Sequence, residues 1–274
     1  MASALVKWAL EHVEKSYRFQ KMIAPQKIQS IMSKKVTEYE PRGLPVIENP
    51  RVEKILKSSF NNKYGGIHVL VAPSGSGKTT YMRSYANRHI AEGGLVQYFA
   101  SELQTRKQFF TSFGDENRAN DLFDVIPKKS VIIIDQIEHL GSLNDDIKGL
   151  LKHLAFESRR ISGVSVIVST SSSVLAKEII QLNGNDKIRL NGTVSDWRWT
   201  PDMIDKYLEA PVFKTKDIAT LKELAYKASC PAFLYSCADL LSDGDIASNI
   251  SLMSTKADKF DRMWSEFEET DFDK

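Results

Sequence analysis

The chain has 274 residues, of which 42% are hydrophobic and 26% are charged, and its formal net charge is +2. This length allows one sizeable core and a smaller second unit. The composition is that of a globular protein, and two cysteines exclude a disulfide framework. No run approaches the ~18 apolar residues of a transmembrane helix. We therefore expect an intracellular protein, cytoplasmic or nuclear, without membrane insertion.

Residues 1–48 are predicted to form an N-terminal helical arm and a linker. Apolar residues recur at near-helical intervals over residues 3–33. The linker contains Pro41, Gly43, Pro45 and Pro50. The arm could instead lie on a membrane surface, although its apolar positions are few and its polar face is mixed in charge. Residues 1–42 are rich in Lys and Arg and residues 258–274 in Asp and Glu, a contrast that could steer partners or subunits.

The stretch VLVAPSGSGKTT, residues 69–80, has the order of a buried strand, a glycine-rich loop and the start of a helix. It follows the phosphate-loop pattern G-x-x-x-x-G-K-[ST], except that Ala72 stands at the first glycine. Glycines let backbone N–H groups turn toward a polyphosphate, and the start of the helix presents its positive dipole end to the same place. The alternative is a surface turn that happens to be rich in serine and glycine. The pattern predicts a phosphate site formed by Pro73, Ser74, Gly75, Ser76, Gly77, Lys78, Thr79 and Thr80.

Within this site, Lys78 is predicted to reach the β- and γ-phosphates of ATP, and the Thr79 hydroxyl is predicted to bind Mg²⁺. A second apolar run, VIII, ends at Asp135 and matches the Walker B pattern, which places a carboxylate beside the phosphate loop. Asp135 is therefore expected to hold Mg²⁺, directly or through water. Gln136 and Glu138 are candidates for orienting the attacking water, although Glu138 could simply be the first-turn acid of a helix.

The core over residues 49–195 is predicted to be α/β. Strand patterns cover residues 67–72, 95–100, 131–134, 164–168 and 187–192. Strands that are apolar on both faces belong in a parallel sheet covered by helices. We therefore expect a P-loop NTPase core with a five-stranded parallel sheet between helices. Three phenylalanines between the second and third strands are expected to anchor the core and not to stack on bases; they are Phe109, Phe110 and Phe113.

Residues 196–274 are predicted to form a C-terminal helical lid and an acidic tail. Thr200 as N-cap and Pro201 at the first helical position begin the first helix. Helix patterns cover residues 201–208, 215–229, 231–241 and 245–267. In the core, Arg159 and Arg160 end the helix before the fourth strand, where cations complement the helix dipole.

Taken together, APSGSGKTT, VIIIDQ, VIVST, WTPDMIDKYL and KASCPAFLYSCADLL resemble the AAA+ and STAND branches of P-loop ATPases over about residues 50–245. The resemblance implies that ATP and Mg²⁺ are bound and that the chain forms a homo-oligomer. It also implies a lid whose helix pair is joined by a glycine-x-proline turn. Ser229-Cys230-Pro231 stands at that turn in this sequence, and Pro231 is expected near the adenine.

The resemblance assigns further roles at the γ-phosphate. Ser169 or Thr170 would be the polar residue that reads this phosphate, and Arg159 or Arg160 could reach the site of a neighbouring subunit. The family usually has an acid directly after the Walker B aspartate. This sequence has Gln136 there, which orients water but does not accept a proton, so slow hydrolysis is expected.

The expected function is an ATP-binding and slowly ATP-hydrolysing switch that assembles and acts on a macromolecular partner, either protein or nucleic acid. The alternative is a scaffold or adaptor in which ATP only fixes the shape. A small-molecule kinase is disfavoured, because the chain has an extra strand pattern between phosphate loop and Walker B and lacks an arginine-rich lid loop.

Overall fold

Five parallel strands form one sheet at the centre of the fold. They are β1 (Ile67–Val71), β2 (Leu95–Phe99), β3 (Ser130–Ile134), β4 (Val164–Thr170) and β5 (Ile188–Leu190). Their order across the sheet is β2-β3-β4-β1-β5, and every neighbouring pair is parallel. Strands β1, β3 and β4 are buried along their whole length, which explains why their sequences are apolar runs. The prediction of a five-stranded parallel sheet is confirmed.

A computed structural model provides these coordinates. It describes residues 25–37, 47–62, 64–100, 103, 105–113, 122–140, 143–160, 163–182, 187–214, 218–243 and 246–270. The helices of the sheet region are α1 (25–32), α2 (Pro50–Phe60), α3 (Lys78–Ala91), α4 (Arg106–Ser112), α5 (Leu122–Val125), α6 (Asp145–Arg160) and α7 (Ser173–Gln181). Four more helices follow, α8 (Pro201–Leu208), α9 (Ile218–Ala228), α10 (Pro231–Asp243) and α11 (Ile246–Glu268). Within the described ranges, no helix has the length and apolar content needed to cross a bilayer.

Helix boundaries follow the capping signals of the sequence. The Asn49 side chain accepts hydrogen bonds from the first backbone N–H groups of α2, and the Thr200 hydroxyl does the same for α8. Gly93, with φ +84°, follows α3 in the left-handed conformation typical of a helix end. The predicted helix over 215–229 is described from Ile218 onward, and α10 continues two residues beyond its predicted end at 241.

Two hydrophobic cores lie on either side of a short connection. The larger core contains the sheet and the helices around it, and Trp197 is its last member before the C-terminal helices. Trp199, only two residues later, belongs to a second core built from α8 to α11. The two are not independent, because Trp264 near the end of α11 packs in the larger core and its indole N–H donates to the Ala228 carbonyl, 2.9 Å away. The domain boundary at residue 196 stays a prediction, but the change of core occurs there.

The described part of the predicted arm packs on the sheet region. Ile28 and Met32 of α1 are buried in the larger core. Beyond α1, the Asn87 side chain of α3 binds both backbone polar groups of Val36, at 2.8 and 2.9 Å. Residues 3–24 of the helical stretch predicted over residues 3–33, and most of the predicted linker, lie outside the described residues.

The three phenylalanines after β2 belong to the same core. Phe109, Phe110 and Phe113 are each at most 4% exposed. Phe109 stacks on Phe99 of β2 with ring centroids 5.2 Å apart. These rings are core anchors, as predicted.

Candidate nucleotide site

The glycine-rich loop connects the carboxyl end of β1 to the start of α3. Gly75 and Gly77 adopt φ values of +83° and +91°, a region in which side chains are strained. A Cβ atom on Gly75 would also come within 2.5 Å of the Ala232 side chain. Residues 72–77 thus bend in front of the N-terminus of α3, where unpaired N–H groups and the helix dipole favour an anion.

Lys78 lies at the centre of this arrangement and is only 5% exposed. Its ammonium donates to the carbonyls of Ala72 and Pro73, at 2.6 and 3.1 Å, and to the Ser171 hydroxyl at 3.2 Å. Burial lowers the pKa of Lys78 to about 8, although two nearby carboxylates act in the opposite direction. The lysine is therefore held between the loop and the end of β4.

Asp135 follows β3, which lies between β2 and β4, and its carboxylate is fixed from both neighbouring strands. Oδ1 accepts a hydrogen bond from the Ser169 hydroxyl of β4. Oδ2 accepts one from the Tyr98 hydroxyl of β2, 2.6 Å away. The side chain is 1% exposed, so this is a buried carboxylate with a hydrogen bond to each oxygen.

Gln136 follows Asp135 in the chain and hydrogen-bonds to Thr79, and these two neighbours are the residues predicted to bind metal. Its backbone has φ +58°, its N–H donates to Ser169 Oγ at 3.1 Å, and its side-chain amide donates to Thr79 Oγ1 at 3.1 Å. The amide of Gln136 therefore holds the Thr79 hydroxyl in this structure.

Glu138 lies in a short 3-10 turn, Ile137–Leu140, directly after Gln136. Its Oε1 accepts a hydrogen bond from the Ser171 hydroxyl at 2.6 Å. Its Oε2 is buried and has no hydrogen-bond partner among the described residues. Lys78, Ser171 and Glu138 thus form one hydrogen-bonded chain, in which Glu138 keeps one oxygen without a partner among the described residues.

Ser169 and Thr170 were the two residues predicted to read the γ-phosphate. Ser169 contacts Asp135 and Gln136, but the hydroxyl that faces the chain of Lys78 and Glu138 is that of Ser171. The Thr170 hydroxyl accepts from the backbone N–H of Ser172 at 3.0 Å, whereas Ser171 contacts both Lys78 and Glu138. Successive side chains of a strand point to opposite faces, so the two serines on either side of Thr170 share a face. This two-residue period was the signal that sequence reasoning missed.

A cavity of about 320 Å³ lies between the glycine-rich loop and the C-terminal helices. Its lining combines the polar loop with an apolar wall, a composition common in small-molecule sites. The lining residues are Ile47, Ser74, Gly75, Gly77, Lys78, Thr79, Thr80, Tyr81, Gln136, Ser171, Trp199, Pro231, Ala232 and Tyr235. Pro231, which the resemblance places near the adenine, is one of these lining residues, and its contact with adenine stays a prediction. The aromatic residues of this wall were not predictable from local patterns, because they come from three separate segments of the chain.

The turn before α10 also contacts the glycine-rich loop. The Gly75 carbonyl accepts from the Ala232 N–H at 3.3 Å and from the Cys230 thiol at 3.1 Å. Ser229 has φ +46°, so it adopts the conformation that a glycine would take in a glycine-x-proline turn. Burial raises the pKa of the Cys230 thiol to about 12, which keeps it protonated as a donor.

Arg159 and Arg160 lie far from this site within one chain. They end α6 near the start of β1, since a Cβ on Gly65 would come within 2.6 Å of the Arg159 Cα. The five residues of β1 span roughly 17 Å between this amino end of the strand and the glycine-rich loop at its carboxyl end. Arg160 also pairs with Glu157 at 2.7 Å and with Asp124 at 2.8 Å. The structure places neither arginine in the site of its own chain.

The residues present fit Mg²⁺ bound together with a nucleotide. The Thr79 hydroxyl and the Asp135 carboxylate would supply oxygen ligands, and the Glu138 carboxylate has a buried Oε2 without a hydrogen-bond partner among the described residues. No cluster of three or more His, Cys, Asp or Glu side chains suitable for a metal occurs within the described ranges. Magnesium typically takes one or two protein ligands plus phosphate oxygens and water, so an all-protein cage is not required.

Comparison with known proteins agrees with this site. Residues 68–188, a little under half of the chain, match the family model described as "ATPase family associated with various cellular activities (AAA)". No curated protein sequence matches the chain significantly. The fold is similar to that of a Walker-type ATPase of Pyrococcus abyssi, with 12% identity and a TM-score of 0.51, over 81% of this chain and 75% of that one.

Two other solved structures are similar at lower TM-scores. DnaA from Aquifex aeolicus, bound to AMPPCP, has 13% identity and a TM-score of 0.49, over 74% of this chain and 64% of that one. A RuvB mutant from Thermotoga maritima has 14% identity and a TM-score of 0.47, over 77% and 69%.

Proposed function

We propose that this chain binds ATP with Mg²⁺, hydrolyses it slowly and uses the bound nucleotide as a switch. The observation that carries the proposal is the buried ammonium of Lys78. It lies on a loop with two positive-φ glycines, beside the carboxylates of Asp135 and Glu138. A charge buried at an anion-binding loop costs stability and is expected where an anionic ligand compensates it.

Each part of the site has a role in this proposal. Lys78 binds the β- and γ-phosphates, and Thr79 and Asp135 hold Mg²⁺, which neutralises charge on those phosphates. Ser171 reads the γ-phosphate, because it bridges Lys78 and Glu138. The apolar wall around Pro231 takes the adenine.

Glu138 is the better candidate for the general base. Its partnerless Oε2 can accept the proton of an attacking water, whereas the Gln136 amide donates to Thr79. Gln136 nevertheless occupies the position where the family has an acid, and this favours slow turnover. A nucleotide-dependent scaffold or adaptor with little hydrolysis is therefore the second candidate.

The switch is proposed to act through the helices α8 to α11, which form a lid over the cavity. The lid contacts the loop directly at the Gly75 carbonyl, so nucleotide and lid positions are linked. From the resemblance stated above, we extend the proposal to assembly with further copies and to action on a macromolecular partner. The likeness of the lid turn to STAND ATPases stays a prediction.

Binding of ATP to purified protein, measured by calorimetry with and without Mg²⁺, tests this function. Lys78→Ala should weaken ATP binding about 10- to 100-fold, because it removes a charge-assisted contact worth ~1.5–3 kcal/mol. Lys152→Ala, on the exposed face of α6, is the control and should bind like the parent. Equal affinity of parent and Lys78→Ala would refute the phosphate-site assignment.

Turnover separates the two candidate functions. Phosphate release from ATP is measured with the protein alone and with single-stranded DNA, duplex DNA or RNA added. A switch should show turnover, stimulated by its partner. Tight ATP binding with no release under any of these conditions would favour the scaffold.

A further inference from the structure

We propose that Tyr98 is a positioning residue that holds the Asp135 carboxylate in the orientation needed to bind the magnesium of a nucleotide complex. The inference rests on the proposed function and adds a residue from β2, the edge strand of the sheet. Neither the phosphate-loop nor the Walker B pattern includes this strand.

The sheet register brings the two side chains together. β2 pairs with β3 so that Tyr98 lies opposite Ile133 and Phe99 opposite Ile134. The Asp135 N–H then donates to the Phe99 carbonyl at 2.8 Å, which extends the pairing one residue past β3. The Tyr98 hydroxyl is thereby placed 2.6 Å from Asp135 Oδ2, in the range of a short charge-assisted hydrogen bond.

The ring of Tyr98 is itself fixed. The guanidinium of Arg83, on α3, lies over the ring at 5.4 Å from its centroid. Arg83 also donates to the Thr37 carbonyl at 3.3 Å, so the cation has a second contact besides the ring. The ring forms part of the wall of a second cavity of about 400 Å³, whose lining includes Lys34, Lys35 and Arg83. The hydroxyl thus contacts Asp135 from a ring whose position is set by its neighbours.

The two hydroxyl donors together fix the orientation of the carboxylate. With Ser169 bound to Oδ1 and Tyr98 bound to Oδ2, rotation of the carboxylate about its last bond breaks a hydrogen bond. Partners that orient a metal ligand in this way typically change metal affinity 10- to 100-fold when they are removed.

Tyr98→Phe tests the inference because it removes one oxygen and keeps the ring. The magnesium concentration that gives half of the tightening of ATP binding should rise about 10- to 100-fold. ATP affinity in EDTA should equal that of the parent. Tyr226→Phe is the matched control, since its hydroxyl donates to Asp205 at 2.7 Å on the surface of the lid. That variant should keep the magnesium requirement of the parent.

A double-mutant cycle separates positioning from a general structural effect. In an Asp135→Asn background, Tyr98→Phe should leave the magnesium requirement unchanged, because the hydroxyl acts through this carboxylate. The same cycle is measured by urea unfolding of the ligand-free proteins, where the two changes should be coupled. This second measurement reports on the contact even where a variant binds ATP too weakly for titration.

Two results would overturn the inference. One is a magnesium requirement in Tyr98→Phe equal to that of the parent. The other is an equal shift in the parent and Asp135→Asn backgrounds. Normal ATP binding by the parent together with either result removes only the role of Tyr98. Failure of the parent to bind ATP removes the proposed function and this inference with it.

Discussion

Lys78 is charged at neutral pH although it is almost fully buried. Its pKa falls from 10.5 to about 8, mainly because of burial. Below pH 8 the lysine is charged in both the folded and the unfolded chain, and the folded state carries the full cost of burying the charge. Between pH 8 and 10.5 the unfolded chain binds more protons than the folded one, so stability rises with pH.

The pH dependence of stability can be isolated by comparing the parent with Lys78→Met. Relative to this variant, the parent should gain about 3 kcal/mol between pH 7 and pH 10.5, at 1.36 kcal/mol per pKa unit. Urea unfolding of both proteins at several pH values measures the difference, in which the other titrating groups cancel. A constant difference across this range would mean that Lys78 is not buried as a charge.

Glu138 and Gln136 are the two candidates for activating the attacking water, and a substitution of each residue distinguishes them. Glu138→Gln should lower turnover ~100-fold or more while ATP binding is kept, because it removes the proton acceptor. Gln136→Glu should not accelerate hydrolysis, since that side chain contacts Thr79. The measurement is phosphate release at saturating ATP. Glu223→Gln, exposed on α9, serves as the control. Faster turnover in Gln136→Glu with unchanged turnover in Glu138→Gln would mean that the attacking water is oriented by residue 136 and not by Glu138.

A site residue could be predicted where it belongs to a motif of neighbouring residues, and not where its contact depends on the order of the strands. Lys78, Thr79 and Asp135 belong to patterns with fixed spacing, and the structure brings them together. Ser171 could have been found from the two-residue period of β4. Tyr98 could not, because its contact with Asp135 depends on which strand lies beside β3. Spacing along the chain does not give that information.

At the scale of elements, the strands were predictable because burial on both faces leaves only apolar residues. The two edge strands are the exceptions. Gln97 and Tyr98 of β2 are half-buried, and one of the three residues of β5 is exposed. The predicted range 187–192 was also twice the length of β5. The order of the strands was not predictable from these runs. Each crossover of a parallel sheet can place the next strand beside or beyond its predecessor.

The turn between α9 and α10 can be tested through Ser229, whose φ of +46° disfavours a side chain. Ser229→Gly should match or exceed the parent stability by up to ~1 kcal/mol, because relief of the left-handed conformation outweighs the added freedom of the unfolded chain. Ser229→Val should lose ~1–2 kcal/mol or more. Urea unfolding measures both variants. Greater stability of the valine variant would contradict the left-handed assignment.

At the scale of the whole molecule, any catalytic role of Arg159 and Arg160 requires a second copy. These residues lie near the amino end of β1, whereas the glycine-rich loop of the same chain follows its carboxyl end. We predict that ATP promotes self-assembly and that these arginines reach a neighbour's γ-phosphate. A cation supplied in this way can raise the rate ~10³- to 10⁵-fold.

Mixing two inactive variants tests the shared site. Arg159→Ala/Arg160→Ala and Lys78→Ala should each be inactive and should recover activity when mixed, and specific activity of the parent should rise with concentration. Concentration-independent turnover by a monomer, with no recovery on mixing, would leave the arginines as charges at the end of α6. The ion pairs of Arg160 with Glu157 and Asp124 would then be its whole role.

The two hydrogen bonds that the Gly75 carbonyl accepts bear on which step of an ATPase cycle is slowest. Because Cys230 and Ala232 both donate to this carbonyl, we expect the glycine-rich loop and the first turn of α10 to move together. Under the proposed function, we expect release of a nucleotide from the cavity to require that these contacts break, and such opening steps often limit a cycle more than bond cleavage does. We expect ADP to remain bound after each cleavage. The lifetime of the ADP-bound state, and not the rate of bond cleavage, would then set the duration of the reaction cycle.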